Sequence, residues 1–168
     1  MKYYRLDLKY LLIGLLAALL LIIVGLAEGQ QRDAYVIVIP ATHQPQVGSY
    51  LPVWCVNGGV VTTTLRCTVL ASFTQVPRWK IPGRHPGQVA WMEIQFDALT
   101  WLSLTNPTLF IGLQHVLVLP LPGRSGGWIK IPDHRALIGV WFYLQAVVHE
   151  PFTESPVAGP IVIRGGSR

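Results

Sequence analysis

The feature that most constrains this chain is an uninterrupted apolar run near its N-terminus. Residues 11–27 carry no charged side chain, and Tyr10 extends the run to 18 residues. A helix of that length spans roughly 27 Å, just enough to cross the hydrocarbon core of a bilayer. Basic side chains precede the run at Lys2, Arg5 and Lys9. Because cytoplasmic flanks carry the excess of Lys and Arg, the sequence predicts one transmembrane helix over 11–27 with a cytoplasmic N-terminus over 1–10.

The same segment also fits a signal peptide that is cleaved after Ala27. Small residues at Gly25 and Ala27 suit a signal peptidase, but the apolar run exceeds the usual length of about 7–15 residues. The length therefore favours a retained anchor in the inner membrane. Gly14 and Ala18 stand four residues apart, a spacing that lets another helix approach closely. We predict that they pack against a helix of a neighbouring subunit.

The remainder divides into a short linker over 28–33 and one domain over 34–168, which the orientation places in the periplasm or outside the cell. Apolar residues make up 51% of the chain and charged residues 12%, about half the charged share of a typical soluble domain. The formal net charge is +5, but the basic residues are scattered. A concentrated basic face is therefore missing from the sequence pattern, which argues against nucleic-acid binding.

Short β-branched and aromatic runs, separated by Gly and Pro, predict strands throughout this domain. The predicted strands cover 34–39, 50–56, 60–72, 89–96, 110–121, 128–131, 137–149 and 156–164. Residues 98–104 are expected to pair or turn, since no stretch after the membrane segment shows a clear helical period. The pattern predicts an all-β fold, a two-layer antiparallel β-sandwich of an immunoglobulin-like or jelly-roll-like type.

Residues 77–88, rich in proline and basic side chains, predict a long basic loop with an exposed Trp79. Further aromatic residues fall on the more polar faces of their strands, where they are candidates for contact with a partner protein. The interface candidates are Arg78, Trp79, Lys80, Arg84, Trp91, Trp141 and Tyr143.

Cys55 and Cys67 are the only two cysteines. In an oxidising compartment they predict a disulfide. A turn at residues 57–59 would place Cys55 opposite Val61, so the bridge requires a bend or bulge, and two buried free thiols are the alternative.

The sequence offers no convincing reactive cluster. Residues 123–127 match the G-x-S-x-G pattern around Ser125, but that motif needs a strand-to-helix elbow, and an extended segment follows. A glycine-rich hairpin turn is the preferred interpretation, with a hydrolase using Ser125, Asp133 and His149 as the remote alternative. We predict no catalytic, cofactor-binding or metal-binding residue, no cofactor, and no enzymatic activity.

A resemblance rests on two stretches of this domain. Ile131 to Gly139 forms a Pro-containing turn followed by Ala-Leu-x-Gly, and the strand after it has an aromatic-x-Gln-Ala centre. Residues 46–48, an extended run and the Gly-rich turn at Asn57 complete the pattern. This pattern is similar to secreted bacterial β-sandwich modules over about half of the domain. The resemblance implies a two-layer antiparallel sandwich outside the cytoplasm and no enzyme activity; the basic loop and the cysteines depart from it.

Two functions follow as expectations. The first is a non-enzymatic accessory subunit that anchors in the membrane and stabilises a larger complex from its periplasmic face. By analogy only, photosynthetic reaction-centre and respiratory complexes contain subunits of this kind. Its partners would be the lipid bilayer and the other subunits. The alternative is a cleaved, secreted or surface β-sandwich module that binds carbohydrate or protein.

Overall fold

The computed structural model describes residues 35–59, 63–120 and 123–166, which belong to one compact unit of the chain, Ala34–Arg168. The predicted transmembrane helix over 11–27, with Gly14 and Ala18, lies outside these residues. Within the described part of the chain, no helix is long and apolar enough to cross a membrane.

The described residues contain eleven strands, one α-helix and one 3₁₀ helix. In chain order they are β1 (Val36–Pro40), β2 (Tyr50–Asn57), β3 (Leu65–Ser72), β4 (Gln75–Pro82), β5 (Val89–Ile94), α1 (Ala98–Thr105), β6 (Phe110–Ile111), β7 (Val116–Val118), β8 (Arg124–Lys130), the 3₁₀ helix Arg135–Leu137, β9 (Trp141–Val148), β10 (Thr153–Glu154) and β11 (Ala158–Val162).

The strands form two larger antiparallel sheets and one hairpin. Sheet A has the order β1-β2-β8-β6, and sheet B has the order β10-β9-β3-β7, with β11 also paired to β9. The hairpin consists of β4 and β5. One core cluster draws its side chains from both sheets, for example Val53 of β2, Val69 of β3 and Leu144 of β9. The prediction of an all-β, sandwich-like fold with antiparallel sheets is therefore confirmed.

Sheet A and sheet B differ in what covers their outer faces. In β2 of sheet A, buried and half-buried residues alternate, as expected for a strand with one face in the core. In β9 of sheet B, five consecutive residues from Leu144 to Val148 are buried. A second cluster explains this pattern, because Leu70 and Val147 of sheet B pack there against Met92 and Ile94 of the hairpin. Sheet B thus has apolar packing on both sides.

Several local predictions are wrong. Residues 77–82 belong to strand β4 rather than to a loop; in the described sheets β4 pairs only with β5, and its register shifts between Gln75 and Trp79. An edge strand tolerates proline because one row of its N–H groups needs no ladder partner. Residues 98–105 form a helix, since Asp97 caps its N-terminus and Thr100 completes a capping box.

The remaining differences concern the ends of strands. The predicted strand over 110–121 is two short strands separated by a turn, and the one over 137–149 starts only at Trp141, after the 3₁₀ helix. Residues 124–127, predicted as a turn, lie inside strand β8.

Candidate functional site

In addition to the apolar packing of the second cluster, a buried amide attaches the hairpin β4–β5 to sheet B. Gln145 of β9 accepts a hydrogen bond from the Glu93 amide at 3.0 Å. Its Nε2 donates to the carbonyls of Trp91, at 3.3 Å, and Ser155, at 3.0 Å. Gln145 is 1% exposed, so the side chain uses its donors and acceptor without help from bulk water. This residue fixes the distance between the hairpin and the sheet.

Helix α1 is fixed beside the hairpin by Asp97. Its Oδ1 accepts hydrogen bonds from the amides of Leu99 and Thr100, and its Oδ2 accepts from Ser72 Oγ and the Phe73 amide, both at 2.8 Å. Burial by itself would raise the pKa of this carboxyl, but the four hydrogen bonds together hold the pKa below its usual range. The ionised carboxylate therefore ties the start of α1 to the end of β3.

An apolar pocket lies between α1, the hairpin and the outer face of sheet B. Its volume is about 300 Å³. Leu70, Met92 and Val147 belong to its walls, and Phe96 and Leu104 line it while remaining partly exposed. The pocket is thus an apolar cleft at the lower end of the range for small-molecule sites.

Thr68 and His149 are among the polar residues that line the pocket, and their side chains contact each other. The Thr68 hydroxyl donates to the Gln114 carbonyl at 2.7 Å, and its oxygen lies 2.9 Å from His149 Nε2. Since the hydroxyl proton is already used, Nε2 must donate to Thr68. Burial, His115 and the nearby arginines lower the pKa of His149, against the opposing effect of Glu150.

The outer face of sheet A carries a second apolar surface. Strand register pairs Ile39 with Trp54 and pairs Pro52 with Trp128. We call this surface the sheet A outer face and define it by Ile37, Ile39, Tyr50, Pro52, Trp54, Val56, Ile111 and Trp128. Tyr50 is 55% exposed and Trp128 45% exposed. Two of the three aromatic residues on this sheet face are therefore largely open to solvent.

Cationic side chains border the sheet A outer face. The Arg124 guanidinium lies over the Trp54 ring, 5.0 Å from its centroid, in the geometry of a cation–π contact. Lys130 is paired with Tyr50 in the strand register and is exposed. The face therefore combines apolar area with positive charge.

The structure separates the predicted interface residues into two groups. Arg78, Lys80 and Trp91 are exposed on the hairpin, where Lys80 lies over the Trp91 ring at 4.8 Å and Arg78 pairs with Glu93. Arg84 is exposed in the segment between β4 and β5.

In the second group, Trp79 and Tyr143 are half-buried and Trp141 is exposed. The prediction of an exposed Trp79 is wrong: this side chain packs against the second cluster, and its Nε1 donates to the Ile94 carbonyl at 2.8 Å. Tyr143 packs against the same cluster, whereas Trp141 on the same strand is 55% exposed. The structure therefore does not bring all seven residues into one surface.

Cys55 lies on β2 of sheet A and Cys67 on β3 of sheet B, and both belong to the core cluster that the two sheets share. Both are buried and both are free thiols, so the predicted bridge is not formed in this structure. A hydrogen bond with Cys55, together with burial, raises the pKa of the Cys67 thiol. The alternative of two buried thiols describes this arrangement.

Ser125 occupies the middle of sheet A. It is paired with Cys55 in the strand register, and strand β8 continues past it to Lys130. The elbow that a nucleophilic serine of this motif requires is therefore not built here. The flanking Gly126 and Gly127 have another role: a Cβ atom on either would collide with the carbonyl oxygen of Val53 or Ile111 on the adjacent strand.

Among residues 35–59, 63–120 and 123–166, no group of three or more His, Cys, Asp or Glu side chains is placed to hold a metal ion. No protein-family model matches this chain, and no curated protein sequence matches it significantly.

Sequence reasoning missed both apolar surfaces. The sheet A outer face could have been found, because alternation in residues 50–56 puts Tyr50, Pro52 and Trp54 on one side of a strand. The pocket could not have been found from the sequence, because it depends on α1 and β4, which the sequence did not predict.

Proposed function

We propose that this protein is a non-enzymatic accessory subunit that anchors in the inner membrane through residues 11–27 and stabilises a larger membrane complex from the periplasmic face. Gly14 and Ala18 would pack against a helix of a neighbouring subunit. Photosynthetic reaction-centre and respiratory complexes remain the analogies for such a partner. The observation that carries the proposal is the sheet A outer face, an exposed aromatic and aliphatic surface.

The chemistry of this face defines the partner surface. Exposed aromatic residues at the centre of a patch supply most of the binding energy in protein interfaces. Arg124 and Lys130 favour acidic groups opposite them. We therefore propose as occupant a protein subunit that presents apolar side chains with acidic residues beside them.

Co-purification from native membranes tests this proposal. Trp128→Thr combined with Tyr50→Thr removes two exposed rings and keeps residues that favour strands. The double variant should lose the co-purifying subunit in mild detergent, while wild-type protein retains it. Trp91→Thr is the matched control, because it removes an exposed strand tryptophan that lies on the hairpin and not on the sheet A outer face. Trp91 is one of the interface candidates predicted from the sequence. Migration of the wild-type chain alone as a monomer would refute the proposal, and loss with Trp91→Thr only would return the interface to the hairpin.

The alternative function is a cleaved, secreted or surface module that binds carbohydrate or protein. It is favoured by one observation: Tyr50, Trp54 and Trp128 lie on a single sheet face, and aromatic rings can stack on the apolar faces of sugars. Mass spectrometry of the mature protein separates the two functions, because cleavage would leave Glu28 as the first residue. An intact N-terminal segment supports the anchored subunit.

A further inference from the structure

The pocket beside α1 has the lining of a site for a hydrocarbon chain. Its walls come from three different elements: Leu70 and Val147 of sheet B, Met92 of the hairpin and Leu104 of α1. Leu70, Met92 and Val147 are at most 8% exposed, so the inner wall is built from core residues. Apolar walls of this kind favour a ligand that transfers methylene groups out of water.

Arg66 lies on the strand beside the Thr68–His149 pair, since the His149 backbone amide donates to the Arg66 carbonyl at 2.8 Å. Arg66, Arg84 and His115 act electrostatically on His149, and Glu150 is the acidic neighbour that opposes them. Two arginines against one glutamate give a positive balance of charge near His149. His149 donates its Nε2 proton to Thr68, which leaves Nδ1 as the ring nitrogen that changes protonation when a negative group approaches.

We propose that this pocket binds a single hydrocarbon chain that ends in a carboxylate, a fatty acid, with the chain against Leu70, Met92 and Leu104 and the carboxylate towards His149. The volume of about 300 Å³ sets the length of the chain. This volume lies at the lower end of small-molecule sites and therefore favours one chain of medium length. This binding is independent of the proposed function, since the pocket lies on sheet B and the proposed interface lies on sheet A.

Photo-crosslinking on the full chain in phosphatidylcholine nanodiscs tests the site. The probe is dodecanoic acid with a diazirine in the middle of the chain, and the labelled peptides are mapped by mass spectrometry. Labels are expected in β5 around Met92 and in α1 around Leu104. Unlabelled dodecanoic acid should compete for labelling, and hexanoic acid should compete at least about tenfold less well because it fills less of the pocket.

Helix α1 offers a matched pair of variants. Leu102 and Leu104 are 38% and 39% exposed, but only Leu104 lines the pocket. Leu104→Asp should reduce labelling about tenfold or more, since it removes an apolar contact and adds a negative charge. Leu102→Asp should leave labelling unchanged. Phe96→Ser, at an exposed pocket residue, provides a second test in case Leu104→Asp fails to fold.

A neutral probe tests the role of the carboxylate. Dodecanol with the same diazirine should label the pocket several-fold less than the acid. In Arg84→Gln, the labelling by the acid and the labelling by the alcohol should differ less than in the wild type. Equal labelling by acid and alcohol would overturn the assignment of the charged end. Labelling spread evenly over the chain, or equal loss in the Leu102 and Leu104 variants, would overturn the pocket as the binding site.

Discussion

Replacing Gln145 tests whether one buried amide holds the hairpin on sheet B. Gln145→Ala removes three hydrogen bonds, those to the Glu93 amide and to the carbonyls of Trp91 and Ser155. At about 1 kcal/mol of net stability for each bond, the hydrogen-bond loss is about 3 kcal/mol. The removed side-chain atoms add about 1 kcal/mol of lost packing. We expect the free energy of unfolding to fall by about 4 kcal/mol, a large share of the 5–15 kcal/mol typical of a domain.

Gln145→Met separates the two contributions, because methionine keeps most of the volume but makes none of the three bonds. It should cost about 3 kcal/mol, less than the alanine variant by the packing contribution. Urea unfolding of the full chain in mild detergent, followed by tryptophan fluorescence, measures both values. A loss below about 1 kcal/mol in both variants would show that water replaces the amide and would refute the reasoning.

Amide hydrogen exchange locates the effect. In Gln145→Ala, exchange should accelerate most in β4 and β5, because the hairpin loses the two hydrogen bonds that its backbone makes with Gln145, and least in β1 and β2 of sheet A. Equal acceleration in all four strands would mean that the hairpin and the sandwich unfold as one unit, contrary to the expected role of Gln145.

Three further predictions concern Asp97, His149 and the glycines of β8. Asp97→Ala should destabilise the protein by at least about 1 kcal/mol at pH 7, the usual cost of a lost helix cap. Because the folded state lowers the pKa of Asp97, the stability that Asp97 contributes is present above the unfolded pKa of about 3.9 and is lost as the pH falls through the folded pKa. The unfolding curves of variant and wild type should therefore converge at low pH. His149 has a lowered pKa in the folded state, so the unfolded chain takes up its proton first as the pH falls below about 6.5, and stability should decline there in wild type but less in His149→Gln. Gly126→Ala should lower the free energy of unfolding by more than about 2 kcal/mol, because its Cβ would collide with the Val53 carbonyl oxygen. Gly166→Ala is the control and should change the melting temperature little, because its Cβ meets no atom within 4 Å. Similar losses of stability in both variants would contradict the packing argument.

The strands that face the core were predictable from the sequence because their side chains alternate. Residues 50–56 and 141–148 have the β-branched and aromatic content of strands, and the structure places strands there. The hydrophobic pattern also predicted two sheets with a shared core. Alternation could not show the second apolar face of sheet B, because the polar Gln145 on that face suggested that the face is exposed to solvent.

The errors share a physical cause, namely that tertiary contacts outweighed local preference. Prolines at 77 and 82 argue against a strand in isolation, yet an edge position and a bulge accommodate them in β4. Helix α1 has eight residues and little periodicity, and it depends on the Asp97 cap and on its contact with β3. Because the candidate pocket is built from these two elements, it could not be anticipated from the sequence pattern.

The glycine pair in β8 sets the rules for engineering new binding specificity into this protein. Backbones of β2, β8 and β6 approach one another where Gly126 and Gly127 lack side chains, so a randomised library should keep both positions fixed. Tyr50, Trp54 and Trp128 occupy paired positions of β2 and β8 near these glycines. Their side chains can be varied without separating the strands. A display library built on this plan would retain folded members at a rate that falls sharply once either glycine is opened to substitution.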